Sequence, residues 1–166
     1  MGFNTLDELR NGIGADKPDT NGIDLFFNAK SIAIVGASND GTKISGQPFR
    51  YLKTMGYAGW VYAVNPTRAE VQGEKSYPSL ADIPEPIELA LIATPAPRVE
   101  AAVREAADQG VQAAVVFASG FAETGDAGRQ TEARIREIAR NAGMRLPGPN
   151  CLGVMNFPTR QFLTFS

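Results

Sequence analysis

The sequence contains no histidine and only one cysteine, Cys151. Within these 166 residues the two shortages exclude disulfide bonds, zinc sites built from cysteine and histidine, and any nucleophile that depends on a histidine base. We therefore expect no metal site, and we expect Cys151 to have a structural role.

The sequence also lacks long apolar runs and blocks of like charge. No stretch approaches the roughly 20 apolar residues that a membrane span needs, and residues 1–14 carry acidic side chains where a signal peptide would have an apolar core. Sixteen basic residues against eighteen acidic ones leave a formal net charge of −2, which gives no reason to expect nucleic acid or an anionic membrane as partner. These features predict a cytoplasmic protein that binds a small molecule or another protein.

Five short apolar runs are present, and they alternate with longer amphipathic segments from Leu25 onward. This is the pattern of βαβ units around a parallel sheet, and strands that are apolar throughout are typical of sheets covered on both faces. The predicted strands are Ser31–Val35, Trp60–Val64, Glu88–Ala93, Ala113–Phe117 and Met144–Leu146. The sequence therefore predicts an α/β fold with a doubly wound, mainly parallel five-stranded sheet and helices on both faces.

Amphipathic spacing predicts the helices between these strands. The predicted helices are Pro48–Met55, Arg98–Gln109 and Ala127–Asn141, with shorter ones at Thr5–Arg10 and Ser79–Ile83. Gly110 and Gly143 directly follow two of the longer segments, and glycine in that place commonly ends a helix.

The loop after the first predicted strand has the layout of a phosphate cradle. Gly36 directly follows the strand, so backbone N–H groups and the Ser38 hydroxyl can face an anion near the start of the first helix. The glycine spacing matches neither the GxGxxG dinucleotide fingerprint nor a Walker loop. This loop alone could therefore serve NAD, NADP or coenzyme A (CoA), or be a plain turn.

The loop after the second strand helps to distinguish between these ligands. A NAD-binding domain usually has an acidic residue there, whereas this sequence has Asn65–Arg68. Arg68 favours a phosphate, either the 2′-phosphate of NADP or the 3′-phosphate of CoA, unless it is simply a solvated surface arginine. The segments Thr94–Pro97 and Ala118–Glu123 add small or rigid backbone on which an extended neutral ligand could lie.

Taken as a set, five colinear segments resemble the N-terminal CoA-binding domain of the NDP-forming acyl-CoA synthetases. The segments are LFFNAKSIAIVGAS, GYAGWVYAVNP, YPSLADIPEPIELALIATPA, VVFASGFAE and GMRLPGPNCLGVMN. These synthetases include the ADP-forming acetate–CoA ligases and are related to the α subunit of succinyl-CoA synthetase. The resemblance runs from Leu25 to Asn156 and implies a Rossmann-like domain that holds CoA across its strand ends.

The resemblance also implies which residues contact CoA. They are Gly36, Ser38, Asn39 and Lys43 at the phosphates, Val64, Asn65, Pro66 and Arg68 around the adenosine, Thr94 and Pro95 in the third loop, and Phe117, Ala118, Ser119 and Gly120 beside the pantetheine. Asn150 and Cys151 match a loop that faces the phosphohistidine site formed with the next domain. The succinyl-CoA synthetases have lysine in place of Arg68 and glutamate in place of Ser119, so any role of that carboxylate is not carried over.

The implied reaction of the full-length enzymes joins a carboxylic acid to CoA with ATP or GTP, through an acyl phosphate and a phosphorylated histidine. The histidine and the nucleotide grasp domain belong to following domains or a second subunit. We therefore expect this chain to bind CoA without turnover, with ATP or GTP and magnesium used only by the full-length enzyme. The expected organisation is a flexible or partly helical lead-in at 1–24, the CoA-binding domain at 25–156, and the start of a linker to a following domain at 157–166.

Two other functions fit parts of the pattern. One is a stand-alone CoA-binding module with a regulatory or protein-acylation role, since such proteins share this N-terminal part. The other is an NAD(P)-binding, redox-sensing domain. The missing acidic residue after the second strand argues against NADH.

Overall fold

The computed structural model describes residues 22–166, so the helix predicted at Thr5–Arg10 lies outside the described residues. The helices are α1 (Leu25–Asn28), α2 (Gln47–Thr54), α3 (Ala96–Asp108) and α4 (Asp126–Asn141), with short 3-10 helices at Leu80–Asp82 and Ala122–Thr124. The strands are β1 (Ser31–Val35), β2 (Trp60–Val64), β3 (Glu70–Val71), β4 (Glu74–Tyr77), β5 (Leu89–Ile92), β6 (Ala113–Val116), β7 (Gly153–Asn156) and β8 (Gln161–Thr164). Within the described range, no helix has the length and apolar character that a membrane crossing requires.

Six strands form the main sheet in the order β3-β4-β2-β1-β5-β6. All neighbouring pairs are parallel except β3 with β4. Counted along the chain, the parallel strands have the order 3-2-1-4-5 of a Rossmann-like doubly wound sheet. The predicted fold class is confirmed, and the strand order reverses between β1 and β5.

Both faces of the sheet are covered, as the apolar runs predicted. Along β1, Ala33 and Val35 belong to the core on the side of α3 and α4, whereas Ile32 and Ile34 belong to the core on the side of α2. This two-residue alternation is the side-chain period of a strand, so a strand buried on both faces needs apolar residues at every position. β5 and β6 are buried along their whole length for the same reason.

The predicted fifth strand at Met144–Leu146 is wrong. Arg145 makes a single parallel bridge to Ala113 beside β6, and Pro147 follows two residues later and has no N–H to continue the ladder. The fifth parallel strand is instead β4, which the search for apolar runs missed. Glu74 and Lys75 at its start are exposed because β4 lies near the sheet edge, where burial does not demand apolar side chains.

The hairpin β7–β8 packs against the α2 side of the domain. Leu163 is fully buried there, and the buried side chain of Gln161 accepts a hydrogen bond from the N–H of Ala29 (3.1 Å) and donates one to the carbonyl of Phe26 (2.5 Å). Residues 161–164 lie within the segment predicted as the start of a linker, yet they are part of the packed unit. Where a linker to a following domain would begin stays a prediction.

Candidate ligand-binding site

A cleft of about 1200 Å³ lies at the carboxyl ends of the parallel strands, over the point where the strand order reverses. Among the predicted site residues, those that line it are Gly36, Lys43, Val64, Asn65, Pro66, Thr94, Pro95, Phe117, Ala118, Ser119 and Asn150. An adjoining hollow of about 440 Å³ is lined by Ser38, Asn39 and Arg68 together with Gly36, Lys43 and Asn65. Gly120 and Cys151 line neither space.

The floor of the cleft requires glycine at position 36. Gly36 has φ +86°, and a Cβ built on it would lie 2.9 Å from Cγ2 of Thr94 and 3.1 Å from the carbonyl oxygen of Ala93. Only glycine adopts such a backbone conformation at little cost, and here the space for a side chain is absent as well. The loops after β1 and β5 therefore meet closely under the cleft.

The backbone N–H groups nearest Gly36 are not available to an anion, in contrast to the prediction from the sequence. The N–H groups of Gly36 and Ala37 both donate to the carbonyl of Val64, at 2.9 and 3.2 Å, and the N–H of Ser38 donates to the carbonyl of Ser45 at 3.2 Å. The two bonds to Val64 extend the pairing of β1 with β2 into the loop, and the bond from Ser38 lies within the loop; the glycine pattern alone revealed neither.

Available donors lie a few residues further along, directly before α2. Within residues 22–166, the N–H groups of Ile44 and Ser45 have no hydrogen-bond acceptor and the ammonium group of Lys43 makes no salt bridge, and all three residues line the cleft. Their position at the start of a helix adds the positive end of its dipole. Ile44 and Ser45 were not among the predicted site residues, although their place just before the predicted helix start is the signal that could have identified them.

Asp40 shapes the loop that carries these donors. Its Oδ1 accepts hydrogen bonds from the Thr42 hydroxyl (2.6 Å) and the Thr42 N–H (2.9 Å), and its carbonyl accepts one from the N–H of Lys43 (3.2 Å). The Thr42 hydroxyl, followed by the Thr42 N–H, lowers the pKa of the Asp40 carboxyl below its usual value, with a smaller contribution from the charge of Lys43. Asp40 is thus a carboxylate that holds the turn.

The loop after β2 contains one structural and one available polar side chain. The Asn65 amide donates to the carbonyl of Ala37 (2.9 Å), and its oxygen accepts from the N–H and the hydroxyl of Thr67 (both 3.0 Å). Asn65 therefore ties the second loop to the first. Arg68 is exposed beside the smaller hollow and, among the described residues, pairs with no carboxylate.

Thr94 presents an unsatisfied polar atom at the cleft. Its hydroxyl oxygen is buried and, within the described part of the chain, has no hydrogen-bond partner. A buried polar group in that state costs about 1–3 kcal/mol, so the hydroxyl is suited to bond a ligand in the cleft.

The loops after β6 are held by their own hydrogen bonds. The Glu123 carboxylate accepts from the N–H of Gly120 (2.6 Å) and of Phe121 (3.1 Å), and these backbone donors, Gly120 first, lower the pKa of Glu123. Asn150 donates its N–H to the carbonyl of Ala118 (3.0 Å), and Sγ of the half-buried Cys151 accepts the N–H of Gly153 (3.3 Å). The Cys151 thiol is thus engaged locally outside the cleft.

Comparison with known proteins identifies the family to which the chain belongs. Residues 30–157 match the family model described as a CoA binding domain, which is more than half of the chain. The chain belongs to this family of CoA-binding domains. The resemblance found from the sequence alone is thereby confirmed.

The domain is similar to part of several longer proteins. It is 42% identical to the α subunit of the ADP-forming acetate–CoA ligase II of Pyrococcus furiosus, over 86% of this chain and 31% of that relative. A Pyrococcus horikoshii OT3 crystal structure shares 44% identity with a TM-score of 0.82, over 86% of this chain and 32% of that one. The dinucleotide-forming acetyl-coenzyme A synthetase 1 of Ca. Korarchaeum cryptofilum, in complex with phosphate and ADP, shares 39% identity with a TM-score of 0.82, over 87% and 31%. This CoA-binding domain thus spans about a third of the length of these relatives and is homologous to a part of them.

The arrangement of the cleft in this CoA-binding domain fits the shape and charge of CoA. Lys43 and Arg68, which make no salt bridge among the described residues, lie on the loops after β1 and β2 that also carry the available N–H groups, and Arg98 of α3 lines the cleft without a salt bridge as well. Pro95, Phe117 and Ala118, on the loops after β5 and β6, add apolar side chains to the same cleft, which Arg98 and Glu105 of α3 also line. A ligand with a phosphorylated head and a neutral arm is compatible with this lining.

Proposed function

We propose that this domain binds CoA across the cleft and is the CoA-binding part of an NDP-forming acid–CoA ligase. The single observation that carries the proposal is that one continuous cleft over the strand ends of a Rossmann-like sheet is lined both by Lys43, Ile44 and Ser45, here called the cationic end, and by Pro95, Phe117 and Ala118, here called the neutral end. That is the place where open α/β sheets bind their ligands.

At the cationic end, the proposed ligand groups are the phosphates of CoA. CoA carries about four negative charges at neutral pH, and a protein with a net charge of −2 has to attract them locally. Lys43 and the N–H groups of Ile44 and Ser45 would bind the pyrophosphate, and Arg68 would bind the 3′-phosphate from the adjoining hollow.

At the neutral end, the proposed ligand group is the pantetheine arm. Pro95, Phe117 and Ala118 offer apolar contact, and Ser119 and Gly120 extend the same loop. The Thr94 hydroxyl, which lacks a partner among the described residues, would donate to an oxygen of the ligand where the two parts meet.

The activity of the full-length enzyme is part of the proposal. ATP or GTP with magnesium would phosphorylate a histidine that this chain does not contain and leave as the nucleoside diphosphate. The phosphohistidine would then phosphorylate the carboxylic acid, and the thiol of CoA would displace phosphate from the acyl phosphate. The proposed partners are the following ligase domains or subunit that carry this histidine, with Asn150 and Cys151 at the interface. By itself the chain would bind CoA without turnover, and its cytoplasmic location stays a prediction.

We expect Arg68→Ala to weaken CoA roughly tenfold while leaving the affinity for 3′-dephospho-CoA nearly unchanged, because a charge-assisted contact to the 3′-phosphate is lost. Isothermal titration of the chain with CoA, 3′-dephospho-CoA, NADH and NADPH measures this. The matched control is Arg129→Ala, which removes an exposed arginine on α4 that pairs with Asp126 and lies away from the cleft. Tight NADH or NADPH binding without CoA binding would reject the function, and equal losses for the two CoA forms would reject the role of Arg68.

A further inference from the structure

The turn between β3 and β4 reaches over to the loop Ser38–Gly46, which we call the phosphate loop. The turn residues are Gln72 and Gly73, with φ +52° and +82°. Two left-handed residues are typical of a tight hairpin turn, but such turns favour asparagine or aspartate over glutamine at the first place. Gln72 is therefore kept at an unfavourable backbone position, and its side chain supplies the reason.

The amide of Gln72 joins the two ends of the phosphate loop. Its Nε2 donates to the carbonyl of Ser38 (2.8 Å) and to the carbonyl of Gly46 (3.0 Å). The backbone N–H of the same residue donates to Oδ1 of Asn39 (2.7 Å). Gln72, a residue of the sheet edge, thus makes three hydrogen bonds to the phosphate loop, two of which join its ends.

Gln72 itself lines neither the cleft nor the adjoining hollow. Gln72 can therefore affect a ligand only through the phosphate loop, whose two ends its side chain joins. That loop carries Lys43 and the available N–H groups of Ile44 and Ser45. It also contains Asn39, whose side-chain oxygen is occupied by Gln72, so Asn39 contributes to the loop shape.

We infer that Gln72 is a positioning residue for CoA: by bridging the carbonyls of Ser38 and Gly46 it holds the phosphate-loop donors toward the pyrophosphate. The inference rests on the proposed function, because it specifies how that site is kept in its binding geometry. A loop without this bridge would have to be ordered by the ligand, and the ordering would reduce affinity.

The test uses two replacements of Gln72 with different backbone costs. Gln72→Met keeps the length of the side chain but has no donor. Gln72→Asn shortens the side chain so that it no longer spans both carbonyls, while asparagine suits the left-handed conformation better than glutamine. The control is Glu74→Gln in the same hairpin, which removes only the exposed salt bridge to Lys53.

We expect both Gln72 variants to lose roughly tenfold in affinity for CoA, the effect of two lost hydrogen bonds, with Glu74→Gln staying within about twofold of wild type. The loss should be equal for CoA and 3′-dephospho-CoA, unlike that of Arg68→Ala, because the loop faces the pyrophosphate. Gln72→Asn should lower the thermal unfolding midpoint less than Gln72→Met does, because asparagine suits the left-handed conformation, while the two variants lose equal affinity. For a merely stabilising residue the affinity losses would instead follow the losses in midpoint, and that result, or unchanged CoA affinity in both variants, would overturn the inference.

A second measurement separates failure of this inference from failure of the proposed function. Amide hydrogen exchange in the absence of CoA should become roughly tenfold faster in Gln72→Met at Asp40, Thr42 and Lys43, whose N–H groups are hydrogen-bonded within the loop, since the side-chain bonds that join the loop ends are gone. If wild type did not bind CoA, the proposed function would fail. Unchanged amide exchange in the phosphate loop of Gln72→Met would separately overturn the inference that Gln72 holds this loop in place.

Discussion

Gly46→Ala is expected to weaken CoA binding at least roughly 100-fold while the far-UV circular dichroism of the domain stays as in wild type. A Cβ on Gly46 would lie 2.0 Å from the carbonyl oxygen of Asp40, which is far inside contact distance. The backbone itself is ordinary, with φ −104°, so the whole effect comes from this steric overlap. Relieving it must open the phosphate loop, at a cost of about 3 kcal/mol, which is about 100-fold in affinity.

The same loop offers a matched control in Gly41→Ala. A Cβ on Gly41 would first meet Cδ of Arg50 at 3.1 Å, the end of a flexible side chain that can move aside. We expect CoA affinity within about threefold of wild type for this variant. Equal affinities for the two variants in a calorimetric titration would contradict the assignment of the pyrophosphate to this loop.

Leu163→Ala is expected to lower the free energy of unfolding by about 2–5 kcal/mol, because it removes a fully buried leucine and leaves a cavity. Leu163 has 0% exposure and belongs to the core that β8 forms with α1 and α2, where it lies with Phe26, Phe49 and Leu52. Urea unfolding of the 166-residue chain measures the loss.

The control for this prediction is Leu152→Ala, the same substitution at a leucine that is 68% exposed and directly precedes β7. It should change the free energy of unfolding by no more than about 0.5 kcal/mol. If Leu163→Ala cost no more than Leu152→Ala, the hairpin β7–β8 would be dispensable, and residues 157–166 would behave as the linker that the sequence predicted.

The fold was predictable wherever burial on both sides of the sheet imposed an apolar run. β1, β2, β5 and β6 were found from such runs because their side chains enter two cores. The same rule placed a strand at Met144–Leu146, where the chain makes only one bridge, and missed β4, whose edge location permits the polar sequence EKSY.

The candidate site was predictable as a set of loops and much less so as a set of contacts. Gly36 was singled out, and the structure shows why only glycine fits there, with Thr94 and Ala93 against it. The sequence could not show that the carbonyl of Val64 accepts hydrogen bonds from the N–H groups of Gly36 and Ala37, because these bonds depend on the pairing of β1 with β2. The sequence also could not predict that Gln72 donates hydrogen bonds to the phosphate loop, because the hairpin β3–β4 at the sheet edge lies beside that loop only in the folded structure.

By itself the sequence determined the fold class, the family and the absence of a histidine from this chain, because residue identity, hydrophobic period and colinear segments are local properties. Only the tertiary structure decided which donors remain available to a phosphate, which carbonyls Gln72 bridges, and that β8 completes the core beside α2. The physical reason is that a hydrogen-bonding group or an apolar side chain is free or occupied according to its neighbours in space, and those neighbours come from distant parts of the chain.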